Sequence, residues 1–363
     1  MNVIIVFLQK AITQGIPLLF GASGEILTEK SGHLNLGVPG MMYMGGVGGL
    51  TGAFLYENAC ASAGTDPVPV LGMLIALVCA LVCSGLGALI YSLLTITLRA
   101  NQNVTGLALT TFGMGFGNFF GGSLSSLAGG VGQLSTKATA SAFQAKIPFL
   151  SEIPVVGEVL FSYGWLAYFA VLATVLLSLF LFRTRTGLNL RAVGESAATA
   201  DAAGINVNRY KYLSTLVGGM LAGLGGLYFV MDYTGGTWVN NGFGDRGWLA
   251  VALVIFARWR PLHAIWGSFL FGGLYILNLY LPLSRSMLEV FKALPYAVTI
   301  VVLIITSLRK KREDQPPASL GLPYFREPRG GFYRFLPCRD VHAHVPAFLL
   351  PQHKSPAASS PQG

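Results

Sequence analysis

Charge is what this chain has least of. Only 11% of its 363 residues are Asp, Glu, Lys or Arg, where a soluble globular domain carries about 25%. Charge-free windows recur at 34–56, 67–98, 163–182, 212–231, 264–284 and 293–308. Most of them approach or exceed the roughly 18 apolar residues of a membrane-spanning helix. A compact soluble domain buries one or two such helices, not a series of them. Cysteine is also scarce, with four residues, which excludes a disulfide framework. Cys79 and Cys83 are four apart in an apolar run and share a helix face. Without a His or an acid beside them they read as small apolar packers, a metal or redox pair being the other reading. The nucleotide-binding pattern GxxxxGK[ST] is absent, so the chain is not expected to hydrolyse ATP by itself. HExxH, GxSxG and paired CxxC patterns are absent too. The opening MNVIIVFLQK is apolar before its first Lys, unlike a secretory signal.

What is present points to helices. VLGMLIALVCALVCSGLGALIYSLL, residues 70–94, does not alternate apolar and polar residues as an outer-membrane strand does. Glycine is abundant, 46 residues, and recurs at four-residue spacing within the apolar runs: Gly45 and Gly49, Gly48 and Gly52, Gly113, Gly117 and Gly121, Gly219 and Gly223. That spacing puts the glycines on one helix face, where backbones approach closely. The expected fold is all-α: a polytopic integral membrane helical bundle of about eight to ten transmembrane helices, some of them broken. Residues 3–28 are interrupted by Lys10, Gln14, Pro17 and Glu25, and read as one poor span or as a surface helix plus a short one. The domain expectation is a membrane domain over 1–312, with 183–211 as its large cytoplasmic segment. A Pro-, Ser- and Gly-rich cytoplasmic tail, mostly disordered, follows over 313–363.

The net charge of +9 is distributed as a membrane topology signal rather than as a nucleic-acid surface. Arg309, Lys310, Lys311 and Arg312 directly follow the last apolar window. Placing that cluster in the cytoplasm puts 99–103, 183–211 and 257–262 inside as well. The inside set then holds twelve Lys and Arg against five outside, in line with the positive-inside rule. Residues 123–162 read as an external loop with a short helix. Glu25, Glu29, Asp232 and Asp245 sit at apparent span edges. An ion-coupled carrier keeps ionisable groups inside its bundle, so their edge positions argue against one; such a carrier, or a channel, remains the alternative. His33 and His263 border spans and read as structural or interfacial. His342 and His344 fall in the tail.

One cytoplasmic stretch is neither membrane-like nor disordered in composition: RTRTGLNLRAVGESAATADAAGINVNRYK, residues 183–211. A short alanine-rich helix is expected between Gly194 and Gly204, with Gly204 as its left-handed cap. Ala198 and Ala202 are i, i+4 neighbours and make one face small and smooth. Such a face fits closely into a groove of another protein; an ordinary interfacial helix is the other reading.

GEILTEKSGHLNLGVPGMM (24–42), TGLNLRAVGESAATADAAGINVNRYK (186–211) and DRGWLAVALVIFARWRP (245–261) together resemble the permease subunits of bacterial ABC importers. The resemblance is to the nucleoside or simple-sugar uptake group of the ribose/branched-chain amino-acid permease superfamily. It covers about 1–328, and PASLGLPYFRE (317–327) resembles the usual end of such a subunit. Two features depart from it: relatives carry Glu where this chain has Pro39, and the chain continues through 328–363.

The resemblance implies a transport subunit of the inner membrane with no catalytic residue, no metal and no cofactor of its own. Its implied partners are a second permease subunit, a cytoplasmic ABC ATPase that uses ATP and Mg, an extracytoplasmic substrate-binding lipoprotein and membrane lipids. No nucleic acid is implied. Nucleosides lead as substrate, ahead of simple sugars. A break in the second span around Asn35, Gly37, Pro39 and Gly40 is expected to line the pathway, a mere polar entry to that span being the alternative. Asn101, Asn103 and Thr105 offer a second polar opening, with a plain cytoplasmic loop as its alternative. The coupling helix that docks into the ATPase falls at Gly187, Arg191, Gly194, Glu195, Ala198, Ala202 and Gly204.

Overall fold

The computed structural model describes residues 3–127, 136–146, 156–281, 287, 290, 291, 293–309 and 315–325. The first helix, α1 (Val3–Glu29), runs unbroken through Pro17. It is followed by α2 (Val38–Ser62), α3 (Pro69–Ser92, continued by a π turn, Leu93–Thr97) and α4 (Gln102–Leu127). Two short helices come next, α5 (Lys137–Phe143) and α6 (Val156–Leu160), then α7 (Trp165–Arg183). The short pair α8 (Arg185–Glu195) and α9 (Ala197–Ala202) leads into α10 (Val207–Tyr228), which ends in a second π turn, Phe229–Tyr233. The chain closes with α11 (Arg246–Phe256), α12 (Pro261–Tyr280) and α13 (Leu294–Arg309). Five of these, with their π extensions, are long and apolar enough to cross a membrane: α1, α3, α7, α10 and α12. α11 and α13 are shorter apolar helices. The protein is a polytopic membrane bundle.

The packing follows the logic of a lipid solvent, in which close backbone approach rather than apolar burial holds helices together. On α3 most residues turned inward are small, Gly72, Ala76, Ala80, Ser84 and Ala88, with Tyr91 the large one near its end, while Leu74, Val78, Val82, Leu86 and Leu89 are exposed. α1 lies at the centre against α10, α12 and α11, and α2 sits among α10, α3 and α4. The crossing of α2 and α10 is backbone on backbone: a Cβ on Gly45 would collide with the main chain of Gly223. Cys79 and Cys83 lie against Gly48 and Gly52 of α2, so their thiols are packing groups at the α2–α3 contact. Gly45→Ala should therefore force two helices apart and destabilise the bundle by about 1–3 kcal/mol, as overpacking does. Gly115 on α4 has open space around its Cβ position, so Gly115→Ala should leave stability within about 0.5 kcal/mol. Thermal midpoints of the two variants in detergent, side by side, check this.

Candidate functional site

In the link between α1 and α2, residues 30–32 continue the turn at the end of α1, and side chains from three helices supply hydrogen bonds to residues 34–36. Asn35 Oδ1 accepts from Gly37 N at 3.0 Å, an Asx turn, and Asn35 N donates to Glu25 Oε1 at 3.1 Å. Leu34 N donates to Gln102 Oε1 at 2.8 Å, Tyr91 OH donates to the Leu34 carbonyl, and Thr110 Oγ1 donates to the Leu36 carbonyl at 2.7 Å. Irregular backbone at membrane depth is tolerated when protein satisfies it in this way. Asn35 is 1% exposed. Gly37 and Gly40 press against Leu109 and Thr110 of α4, and Pro39 begins α2 against Gly247. Pro at the first positions of a helix lacks only a donor that would be unpaired anyway. The 35–40 stretch is thus packed inside the subunit, where it frames α4. His33 is buried, with its ring nitrogens 2.9 Å from Thr215 Oγ1 and from Thr95 Oγ1. Burial pushes its imidazole down to about 3, so it is neutral, a structural link between α10 and the end of α3.

Sequence reasoning placed Glu25 and Glu29 at a span edge, and α1 does end there. Both are nonetheless buried, Glu25 completely, and Glu29 accepts from the indole of Trp259 across 230 positions of sequence.

A second irregular stretch follows α10. Gly235 and Gly236, both at positive φ, reverse the chain, and residues 237–245 turn back into the bundle. Trp238 and Phe243 are buried there against Tyr43, with ring centroids 6.2 and 4.5 Å away. Arg246, at the start of α11, fastens the loop. Its Nε and Nη2 donate to Gln14 Oε1 at 3.0 and 2.7 Å, and its Nη1 donates to the carbonyls of Gly242 and Phe243 at 3.1 and 3.0 Å. Its guanidinium lies 4.7 Å from the ring centroids of both Phe229 and Tyr275. Gln14 is roughly 16 Å along α1 at 1.5 Å per residue, so α11 begins beside the middle of α1.

This re-entrant loop meets the outer half of α4. Asn118 and Asn241 bond reciprocally: Asn118 Nδ2 to Asn241 Oδ1 at 2.8 Å, and Asn241 N to Asn118 Oδ1 at 3.0 Å. Trp238 Nε1 donates to Asn240 Oδ1 at 3.0 Å. Asn240 and Asn241 are exposed, as are Thr111, Phe112, Phe119 and Phe120 on α4. α4 packs chiefly on α2, which leaves an aromatic and amide face exposed among the described residues. At the other end of α4, Asn101 Oδ1 accepts from the backbone of Asn103 and Val104 at 2.9 and 3.1 Å, capping the helix. Asn101 and Asn103 are exposed there, and Thr105 is half-buried.

The α8–α9 pair is built tightly. Thr184 caps α8 and Ser196 caps α9, accepting from Gly187 N at 3.0 Å and from Thr199 N at 3.3 Å. Gly204, at φ +85°, ends α9, and Ile205 N returns to the Ala200 carbonyl at 3.0 Å, the pattern of a left-handed helix cap. Gly187 and Gly194 are helical, not turn residues. They let α8 lie on the main chain of Phe180 and of Lys30. On α9, Ala197 and Ala200 are buried with Val193 and Val207, against Ile205, Tyr210 and Tyr324. Ala198, Thr199 and Ala202 are exposed. Arg191 and Glu195 lie off this face: Arg191 is over the Phe182 ring at 5.0 Å, and both line a cleft with Lys30.

Part of the stretch expected as tail is folded onto this pair. Ser319 N donates to the Gly194 carbonyl at 2.9 Å and Ser319 Oγ to the Glu195 carbonyl at 3.1 Å. Residues 310–314 and 326–363, with Lys310, Lys311, Arg312, His342 and His344, lie outside the described residues, as do 128–135 and 147–155 of the external loop. A stop after Glu327 should leave uptake near normal. A stop after Arg312, which removes Ser319 and Tyr324, should loosen α8 and α9 and lower uptake at equal membrane level. Uptake normalised to surface expression separates the two.

Residues 7–303 match the family described as Branched-chain amino acid transport system / permease component. The chain belongs to that family. It is a permease component of a transporter and not itself a catalyst, and the likeness to ABC importer permeases holds across that span. It is 31% identical over 331 residues to the "Putative glucose ABC transporter permease protein TsgC13" of Haloferax volcanii, covering 85% of this chain and 94% of the relative. It is 30% identical to the guanosine ABC transporter permease protein NupQ of Bacillus subtilis, covering 90% and 99%. It is 29% identical to the nucleoside ABC transporter permease protein NupC of Lactococcus lactis, covering 84% and 93%. No solved structure matches the chain.

Proposed function

We propose that this permease is one half of the translocation pathway of an ATP-driven importer for nucleosides in a prokaryotic cytoplasmic membrane, and that α9 is its contact with the ATPase. The observation that carries the proposal is the geometry of α9. Its buried side is fixed to the body by Ala197 and Ala200, while Ala198 and Ala202 are exposed, with nothing among the described residues burying them. A helix capped at both ends and anchored on one side transmits a push without deforming. The partner ATPase binds ATP and Mg, a second permease completes the pathway, and a binding lipoprotein delivers the solute on the outer side.

The exposed face of α4 with the 237–245 loop is the translocation surface. Phenyl rings offer stacking to a base and the exposed asparagine amides offer both donors and acceptors, a combination suited to nucleosides. Asn35, Gly37, Pro39 and Gly40 set the position of α4 from behind, and Asn101, Asn103 and Thr105 mark its cytoplasmic mouth. Two relatives named for guanosine and nucleoside transport support the base-bearing substrate. The relative named for glucose supports a sugar as the second reading. Uptake of a labelled purine nucleoside, challenged with unlabelled nucleosides and with glucose, decides between them. Competition by nucleosides alone supports the proposal, and competition by glucose alone replaces it with the sugar reading.

A further inference from the structure

A cleft of about 670 Å³ opens at the cytoplasmic end of the bundle, between the end of α7, α8, the start of α12 and residues 315–317. Transport through the α4 face does not use it. Among the described residues its lining is cationic: Lys30, Arg191 and Arg260 face one carboxylate, Glu195, with the His263 imidazole beside them. The Arg191 Nε is buried and has no hydrogen-bond partner among the described residues. Burial holds the Lys30 ammonium down at about 8, and Arg191 and Arg260 push it the same way against Glu195. Guanidinium groups recognise phosphate through charge-assisted hydrogen bonds.

The rim of the cleft is apolar on the side that continues along α7 and α12. Phe182 and Leu262 line it and are 43% and 48% exposed. Beyond them Leu179 and Trp266 are exposed on the same two helices, both of which are long and apolar enough to span. A soluble phosphate compound uses the cations and leaves this rim unused. A lipid uses both, its phosphate among the cations and its chains along α7 and α12. Basic pockets at the cytoplasmic ends of membrane helices suit anionic headgroups for this reason.

We infer that the Lys30–Arg191–Arg260 cleft is a binding site for a phosphate ester, namely the headgroup of an anionic membrane lipid. Because Arg191 and Glu195 belong to α8, the bound lipid steadies the element that carries α9.

The test is native mass spectrometry of the purified full chain with phosphatidylglycerol, phosphatidylcholine and, as a chainless phosphate ester, glycerol 1-phosphate. Phosphatidylglycerol is expected to be retained at least tenfold better than phosphatidylcholine, with glycerol 1-phosphate displacing it only at millimolar levels. Arg191→Gln with Arg260→Gln should remove that preference. Leu262→Glu, at a half-exposed rim position that tolerates substitution, should weaken retention about tenfold if the double variant fails to fold. Equal retention of the two lipids, or retention unchanged in the folded variants, would overturn the inference. Displacement by micromolar glycerol 1-phosphate would overturn the lipid as the source of the phosphate. Loss of ATPase association in the double variant with phosphatidylglycerol still bound would assign the cations to the protein partner and overturn it as well.

Discussion

Replacing Ala198 with Trp is expected to leave this subunit folded and to cost it the ATPase. The two halves of that expectation come from the two sides of α9. Ala197 and Ala200 are buried against Val193 and Val207, while Ala198 is exposed. An indole at 198 therefore points away from the described residues that bury Ala197 and Ala200. In a docking groove matched to a methyl group it overfills, at about 1–3 kcal/mol. That is roughly a five- to more than a hundredfold loss of association, at 1.4 kcal/mol per factor of ten. Ala198→Ser keeps the face small and should restore binding. Ala200→Trp should differ in kind, because its site is occupied by the subunit itself and the protein should lose stability. Co-purification of the ATPase, with the thermal midpoint of each variant measured in parallel, reads both effects.

Arg246→Leu should lose both stability and transport. The guanidinium holds Gln14 and the carbonyls of Gly242 and Phe243, and it is 6% exposed. Leucine leaves those acceptors buried and unpaired, at about 1–3 kcal/mol for each such group. The sum is not additive, and breaking a buried charged network by removing one partner typically costs about 3–5 kcal/mol. With the anchor gone, the loop that carries Asn240 and Asn241 is no longer held against Asn118. Arg246→Lys should rescue poorly, since an ammonium cannot reproduce a planar fork that reaches a side chain and two carbonyls at once. Thermal midpoint and nucleoside uptake measured on the same preparations check this. A variant as stable and active as the parent would show that the loop is fixed by Trp238 and Phe243 alone.

The spans and the helical pair within 183–211 were legible because their determinants are local. Charge-free windows mark α3, α7, α10 and α12. Gly204 as a cap and Ala198 with Ala202 as one face follow from spacing within a few residues, and the structure has that cap and that exposed pair. Asn35 shows where such reading ends. An asparagine at the start of a membrane helix does not show in sequence that it forms an Asx turn, or that Glu25, Gln102 and Thr110 hold the backbone around it. The re-entrant loop was harder still. Its anchor joins Gln14 to Arg246 across 232 positions, and α11, at 11 residues, is too short for any hydropathy window to reveal. The binding of 315–324 to α8 depends on backbone carbonyls that composition does not show.

The source of energy separates an ATP-driven importer from an ion-coupled carrier, for which the buried acids Glu25 and Glu29 would be the natural proton sites. The deciding measurement is solute uptake into proteoliposomes that hold this chain with its partner permease, ATPase and binding protein. Uptake should require enclosed ATP and Mg, persist when ionophores collapse the proton and sodium gradients, and fall with Ala198→Trp. Uptake that proceeds without ATP and disappears with the gradient would contradict the importer mechanism and move the chemistry to Glu25 and Glu29.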